Sequence, residues 1–443
     1  MTESPRYLHA VTYTARANFG RRFRTSGRLV CSTPGFYFAA SMKRIVLTLG
    51  LAAALLGPLA PAARAWGFFG HRVITQVAVY QLPAGMQGFY YRHLPQLVRL
   101  CTAPDERRNQ DKAEATRHYI DMDHYSEDNP FAKVPREYDA AQDKFTADTL
   151  RKYGTVPWTV IETKNKLVSA FSERDTAGII LYSAELAHYV EDAFVPLHTT
   201  VNYDGQLTNQ AGLHSLWESQ LPERFIQTYK LDVPANGEEA KVLKNPLEAI
   251  WLVVQNSYGF LTATFDLETK ASKGFTPQTK YTYAHRFGKT QRRYSDAFAD
   301  EYNKLVGGQV DYRMRTAAPM VASFWMTAWQ EAGRPDLGKL MAPPKLRKGE
   351  QDSLNVQLRA YKENTLPKDQ LLLAMQKEKK AAAVDDVKAA DPNEALPPPA
   401  PEPEPIAPGG ATIKVPAPAP AKVKTKTKGA AGTDKTKSKP LDW

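Results

Sequence analysis

Apolar residues recur at steps of three and four along most of the chain between residues 66 and 345. The pattern runs through 160–171 and 177–190, and two more apolar segments, 247–260 and 317–328, are expected to be buried. Such steps place apolar side chains on one face of a helix, whereas a strand alternates at every second residue. Strand-like alternation is rare, and no Asn-Gly or Asp-Gly turn joins two alternating runs. The predicted fold class is all-α.

The pattern divides the 443-residue chain into five segments. We expect residues 1–41 to lie outside the native protein, 42–65 to form a signal peptide, 66–345 to form a single helical domain, 346–380 to be a charged and partly helical extension, and 381–443 to be a disordered Pro/Ala/Lys-rich tail. A domain of that length is within the usual size range.

The signal peptide is predicted from three adjoining features. Met42 begins a short basic segment, an apolar run follows over 45–59, and Ala63 and Ala65 stand where a signal peptidase reads small residues. The alternative is a membrane anchor, but the run is shorter than the roughly 20 residues that span a bilayer. We therefore expect translation from Met42, export to the periplasm or the outside of the cell, cleavage before Trp66, and no membrane span in the mature chain.

The net charge of +11 lies in the two ends of the chain. Residues 66–345 carry 32 Lys and Arg against 33 Asp and Glu, so the domain is nearly neutral. The basic composition is therefore not the footprint of a nucleic-acid-binding domain. The lysine-rich tail is expected to be solvated, with a tether to an anionic surface or to nucleic acid as alternatives.

Two cysteines, Cys31 and Cys101, are present, and the first would be removed with the signal peptide. The remaining thiol has no partner for an internal disulfide. A bound metal is an obvious alternative source of stability for an exported fold.

The strongest chemical motif is the pair His188 and Asp192, four residues apart on a predicted helix. That spacing places both side chains on one face, where they can share an ion. Pro196 is expected to end the helix and allow His198 to return toward the same cluster. A single His/Asp pair at this spacing is more often a buried hydrogen bond than a metal site. A metal site is therefore predicted only because further His, Asp and Glu residues of the domain accompany it.

Further residues of the same kind occur along the domain. His214 and Glu218 again stand four apart, and Asp105, His118 and His71 lie upstream in acidic or aromatic surroundings. Imidazole and carboxylate without thiolate favour zinc in a hydrolytic site.

As an ordered set, these motifs resemble the superfamily that joins zinc-dependent phospholipase C to the S-one/P-one type nucleases, over most of 66–345. The resemblance implies an exported helical protein whose mature chain begins with tryptophan and whose cleft holds three Zn2+ ions. It implies that one ion is bound by Asp105, His118, His188 and Asp192, and a second by His198, His214 and Glu218. The third ion would be bound by His71, by the α-amine and carbonyl oxygen of Trp66, and by Asp192, which would bridge it to the first ion.

The resemblance also implies a phosphodiesterase in which a zinc-bridged hydroxide attacks phosphorus. Asp105 and Asp121 are the candidate catalytic carboxylates, the first as a proton acceptor and the second as a group that orients His118 or the substrate. Glu218, where the nucleases have aspartate and the phospholipases have glutamate, and the short spacing from His198 to His214 resemble the phospholipases. A phospholipase C-like activity on a phospholipid headgroup is therefore the function we expect first, with a nuclease as the alternative. The sequence His-Tyr-Ile-Asp at 118–121 favours single-stranded nucleic acid, through a nuclease or nucleotide 3′-phosphatase activity.

Two calls remain. A zinc-stabilised surface-binding protein without turnover is the alternative from a different functional class. We also expect the protein to be a monomer.

Overall fold

The computed structural model describes residues 66–368, apart from 109, 127, 232–238 and 287–288, together with the short strand at 388–389. The predicted extension at 1–41 and signal peptide at 42–65 lie outside the described residues, as does the tail apart from that strand. The prediction of an all-α fold is confirmed, since helices account for most of the described chain.

The α-helices, in chain order, are α1 Phe68–Tyr80, α2 Ala84–Arg92, α3 Leu94–Leu100, α4 Ala103–Arg107, α5 Lys112–Ala115, α6 Met122–Tyr125, α7 Pro130–Lys133, α8 Tyr138–Phe145, α9 Ala147–Tyr153, α10 Val156–Glu173, α11 Thr176–Ala193, α12 Leu213–Ser215, α13 Leu221–Phe225, α14 Pro246–Gly259, α15 Leu261–Ser272, α16 Pro277–Lys280, α17 Asp296–Glu331 and α18 Lys348–Lys362. Short 3-10 turns are Pro196–Thr199, Ile226–Thr228, Leu337–Leu340 and Leu366–Lys368, and Leu216–Gln220 is a π-helical segment.

Helix α11 lies at the centre of the domain. It is joined to α10 by a tight connection in which Arg174 adopts the left-handed conformation with φ 60°, so the two helices run antiparallel and pack along their length. Helices α1, α3, α14 and α17 also pack against α11. Because neighbours surround it, polar residues on α11 such as His188 and Asp192 are fully buried.

The end of α11 is held by a buried cation on α17. The Nε of Arg313 donates to the carbonyl oxygen of Phe194 at 2.9 Å, and the hydroxyl of Ser257 donates to the carbonyl of Ala193 at 2.5 Å. Burial lowers the pKa of Arg313 to about 9. A cation is favourable at a helix C-terminus, where carbonyls are unpaired and the helix dipole is negative. These contacts fix where α11 ends.

A β-hairpin was not predicted by the sequence. Strands β1 Tyr281–Arg286 and β2 Lys289–Tyr294 pair antiparallel, and β3 Lys388–Ala389 pairs with the other edge of β1. The hairpin lacks the Asn-Gly turn and the apolar alternation that mark such elements, because its residues alternate between aromatic, polar and cationic types.

The segment after residue 345 packs on the domain as far as it is described. Helix α18 buries Leu354 and Tyr361, and Leu366 is fully buried beyond it. Arg92 of α2 pairs with Glu350 at 2.9 Å. Within the described ranges, no helix combines the length and apolar character needed to cross a membrane.

Gly154 makes the chain turn close to the residues that follow His118. Its φ is +91°, and a β-carbon there would lie 2.1 Å from the carbonyl oxygen of Tyr119. The same Tyr119 oxygen accepts a hydrogen bond from Val156 N at 3.1 Å. Only glycine fits this approach.

We predict that Gly154→Ala lowers the free energy of unfolding by about 2 kcal/mol or more, because it combines backbone strain with a steric clash. Gly333→Ala is the matched control, since Gly333 has φ +81° but open space around its α-carbon. The control should lose only about 1 kcal/mol. Urea unfolding of both variants measures the difference, and equal losses would contradict the role of the Tyr119 contact.

Candidate metal centre

Helix α11 and the turn after it present the central residues. Asp175 caps the helix N-terminus by accepting from Ala177 N at 3.1 Å, and the helix ends at Ala193. Pro196 then begins a 3-10 turn that carries His198 back toward the helix. This is the change of direction that the sequence predicted.

The first cluster consists of three ligand atoms on His118, His188 and Asp192. His118 Nδ1 lies 2.9 Å from His188 Nε2 and 3.0 Å from Asp192 Oδ2, and the latter two atoms lie 3.3 Å apart. His188 Nδ1 donates to the carbonyl of Cys101 at 2.7 Å, which leaves Nε2 to face the cluster. Asp105 Oδ1 lies 3.8 Å from His118 Nδ1.

The second cluster consists of His198, His214 and Glu218. Glu218 Oε2 lies 2.9 Å from His214 Nε2 and 3.7 Å from His198 Nε2. His198 Nδ1 donates to the carbonyl of His118 at 2.7 Å, so its Nε2 is the atom that faces the cluster. Glu218 lies in the π-helical segment, a rare local geometry that is frequent at functional sites.

The third part of the site surrounds His71 on α1. Its Nε2 lies 3.6 Å from Asp192 Oδ1, whereas Asp192 Oδ2 belongs to the first cluster. The indole of Trp66 is buried beside it, and its Nε1 donates to the carbonyl of Glu191 at 2.8 Å. His71 also lies close enough to Asp105 and His188 for the three to share an ion.

Burial controls the electrostatics of these groups. It lowers the pKa of His214 to about 4 and the pKa of His71, His118 and His188 well below their usual value. Burial also raises the pKa of Glu218 to about 7. The imidazoles are therefore neutral, which is the form that binds a metal ion.

The donor set fits divalent cations. His71 Nε2, His214 Nε2 and Asp192 Oδ1 are buried and make no hydrogen bond among the described residues, although Glu218 Oε2 lies 2.9 Å from His214 Nε2. Each such atom costs about 1–3 kcal/mol when left unsatisfied. A cation would satisfy all three, and imidazole with carboxylate is the ligand chemistry that suits zinc in a hydrolytic site.

The structure brings the expected ligand residues together, and each is at most 3% exposed. They are Trp66, His71, Asp105, His118, His188, Asp192, His198, His214 and Glu218. Among the described residues, three groups of these side chains lie close enough to hold an ion, namely His71 with Asp105 and His188, His118 with His188 and Asp192, and His198 with His214 and Glu218.

Asp121 makes no direct contact with the His118 ring, and its other predicted role, orienting the substrate, stays a prediction. In the described part of the chain, the carboxylates within 4.0 Å of a His118 ring nitrogen are Asp105, Glu114 and Asp192. Asp121 is not among them, so the contact that would let it orient His118 is not formed. Burial raises its pKa to about 8.

Three residues around the site were missed by the sequence analysis. Glu191 contacts His71, Glu114 lies 3.6 Å from His118 Nε2, and Arg108 lies 3.3 Å from Asp105. Glu114 and Arg108 stand four residues before His118 and three after Asp105, spacings that a helical surface uses for ordinary ion pairs. Only their closeness to the clusters distinguishes them.

Phe69 and Tyr125, two aromatic residues that follow Trp66 and Asp121 in the sequence, pack inside the protein. Phe69 is 1% exposed, and Tyr125 packs against Phe145 with ring centroids 4.8 Å apart. His124, a further histidine close to His118 in the sequence, stacks on Tyr153.

A family model described as S1/P1 Nuclease matches residues 66–317, which is more than half of the chain. No curated protein matches. The match begins at Trp66 and includes every residue of the three groups. The chain therefore belongs to the S1/P1 nuclease family of the phospholipase C/P1 nuclease superfamily, whose members are zinc-dependent hydrolases of phosphodiester bonds.

Proposed function

We propose that the protein binds three zinc ions and hydrolyses phosphodiester bonds in single-stranded nucleic acid. The proposal rests above all on the Asp192 carboxylate, because its Oδ1 faces His71 and its Oδ2 faces His118. A carboxylate in this position can bridge two ions, and the separate His198 cluster offers a third position.

Under this proposal each ion takes ligands from the groups described above. Asp105, His118, His188 and Asp192 hold the first, His198, His214 and Glu218 hold the second, and His71, Asp192 and the backbone of Trp66 hold the third. Binding through the Trp66 amine requires cleavage before this residue. We therefore propose that 42–65 is a removed signal peptide, that the processed domain is exported, and that it acts as a monomer.

When bound, zinc supplies Lewis acidity at phosphate oxygens and activates water. As the oxygen of the attacking water bonds to phosphorus and the bond from phosphorus to the leaving oxygen breaks, Asp105 accepts the proton of the water. Arg108 contributes fixed positive charge, because its guanidinium is nearly buried and lies 3.3 Å from Asp105. Charge fixed beside the reacting phosphate stabilises the added negative charge of the transition state.

Nucleic acid is supported by a second feature next to the site. Residues 269–295 contain seven Lys and Arg and no Asp or Glu, although the domain as a whole is nearly neutral. This basic segment includes the hairpin, and Tyr294 at its base donates to the carbonyl of Gln210 at 3.0 Å. Gln210 stands four residues before His214, so the hairpin base adjoins the loop that leads into the second cluster.

Two of the three cationic residues on β2, Arg292 and Arg293, are available to a bound strand. The guanidinium of Arg292 lies over the ring of Tyr281 at 4.2 Å, and Arg293 is exposed and pairs with Asp296 at 3.1 Å. Arginine beside an aromatic ring is a common surface for the backbone and bases of single-stranded nucleic acid.

A phospholipase C-like activity is the second candidate. It is favoured by Glu218 at the second cluster and by the short spacing from His198 to His214. A zinc-stabilised binding protein without turnover is the third alternative, and the buried unpaired ligand atoms fit it equally.

The first experiment counts zinc in the exported, processed protein and compares two substrates. We expect about three zinc ions per chain and cleavage of single-stranded DNA and RNA that stops when a chelator removes the metal. Faster hydrolysis of a phosphatidylcholine emulsion would instead support the lipase. Full zinc occupancy with no hydrolysis of either substrate would support the binding protein.

The second experiment removes the positive charges of two arginines of the hairpin in the double variant Arg292→Gln/Arg293→Gln. For a 20-nucleotide single strand we expect kcat/KM to fall several-fold and its logarithmic salt slope to weaken by about 1.4, because two phosphate contacts are lost. Hydrolysis of bis(p-nitrophenyl) phosphate, which is too small to reach the hairpin, should not change.

Lys339→Gln/Lys348→Gln is the matched control for this experiment, since it removes two exposed cations from the segment after α17. It should leave both substrates unaffected. An unchanged salt slope in the hairpin variant would exclude the basic segment from substrate binding.

A further inference from the structure

Glu191 is a carboxylate buried inside the domain that the proposed chemistry does not use. It is 0% exposed and precedes Asp192 on α11. Its Oε2 lies 2.5 Å from His71 Nδ1, and its Oε1 accepts from the Thr75 hydroxyl at 3.0 Å. Both partners lie on α1, so this side chain ties the first helix of the domain to α11.

The contact with His71 decides which ring nitrogen faces the site. When Nδ1 carries the proton and donates it to Glu191, Nε2 keeps a lone pair, and this atom lies 3.6 Å from Asp192 Oδ1. The ring plane is fixed as well, because His71 stacks on His188 with centroids 4.1 Å apart. A carboxylate that accepts from the remote nitrogen is the usual partner of a metal-binding histidine.

The backbone of Glu191 holds Trp66, the other residue proposed to bind the third ion. Its carbonyl accepts from Trp66 Nε1 at 2.8 Å, and the Trp66 ring packs against Trp217 at 4.9 Å. Gly67 N donates to the carbonyl of Glu218 at 3.1 Å. Trp66 is therefore held in place by its own side chain and by the backbone of the next residue.

We propose that Glu191 is a positioning residue that builds the third zinc position. One residue holds the His71 ring by its side chain and the Trp66 indole by its carbonyl, and its neighbour Asp192 supplies the bridging carboxylate. The inference rests on the proposed function, because it assumes an ion between His71 and Asp192.

The contact is specific to this part of the site. Two other histidine rings are held by backbone carbonyls, since His198 Nδ1 donates to the carbonyl of His118 at 2.7 Å and His188 Nδ1 donates to the carbonyl of Cys101 at 2.7 Å. His118 Nε2 faces Glu114 at 3.6 Å, and Glu114 in turn accepts from the Tyr189 hydroxyl. Removing Glu191 should therefore weaken one ion and leave the other two in place.

The test uses Glu191→Gln, which keeps the volume and removes the charge, and Glu191→Ala, which also removes the acceptor. Metal-stripped, processed protein is titrated with zinc against a competing chelator. We expect the dissociation constant of the ion that depends on His71 to rise about 10- to 100-fold in both variants, with the other two unchanged. His71→Ala should lose the same ion, and adding Glu191→Gln to it should cause no further loss.

Glu268→Gln is the matched control, because Glu268 is also buried, at 1% exposure, and pairs with Lys280 away from His71. The Glu268→Gln variant should bind the third ion with the same affinity as the unmodified protein. Urea unfolding in excess chelator separates metal binding from folding, since a selective loss of one ion with a preserved metal-free fold is not expected of a merely structural residue.

The outcomes are distinguishable. If the unmodified protein holds three ions and both Glu191 variants keep the third with unchanged affinity, the role of Glu191 is wrong and the proposed function stands. If the unmodified protein holds no ion that depends on His71, the third zinc of the proposed function fails, and the role of Glu191 fails with it.

Discussion

The domain is organised around the burial of the Asp192 carboxylate. It is fully buried, and burial together with the nearby Asp105 and Glu218 raises its pKa well above the usual value. A carboxylate in such surroundings is costly unless it is paired or binds a metal. The imidazoles beside it are neutral, so they do not supply the missing positive charge. Metal ions fit this arrangement, because they would supply positive charge to the buried carboxylate and accept the lone pairs of the neutral imidazoles.

Much of the site could be predicted because the spacing of residues on a helix determines which side chains meet. His188 and Asp192 are four apart on a long helix, and the prediction that Pro196 turns the chain so that His198 returns is confirmed by the 3-10 turn. The helices predicted from apolar steps were confirmed for the same reason. Their buried faces follow the helical period.

The remainder depends on contacts between distant parts of the chain. Glu191 and His71 are 120 residues apart, so no local pattern shows that they meet. Asp121 is close to His118 in sequence, yet its backbone N donates to the carbonyl of Tyr153 at 2.7 Å. The carboxylate of Glu114 lies near His118 Nε2, at 3.6 Å. The hairpin was missed because neither strand alternates apolar and polar residues, the pattern by which a sequence indicates a half-buried strand.

Charge distribution links the fold to the proposed substrate. The near-zero net charge of the whole domain hides a basic segment at 269–295. The hairpin belongs to this segment, and its Tyr294 contacts Gln210 in the loop that leads to His214. A site that binds a long polyanion needs positive charge along the path of the strand as well as at the reacting phosphate. The zinc ligands and the basic segment would then serve successive phosphates of one strand.

The most direct test of the metal centre is X-ray diffraction from crystals of the processed protein at energies above and below the zinc absorption edge. Three anomalous peaks are predicted, one beside His118 and His188, one beside His198 and His214, and one between His71 and Asp192. A single peak, or none beside His71, would contradict the three-zinc account.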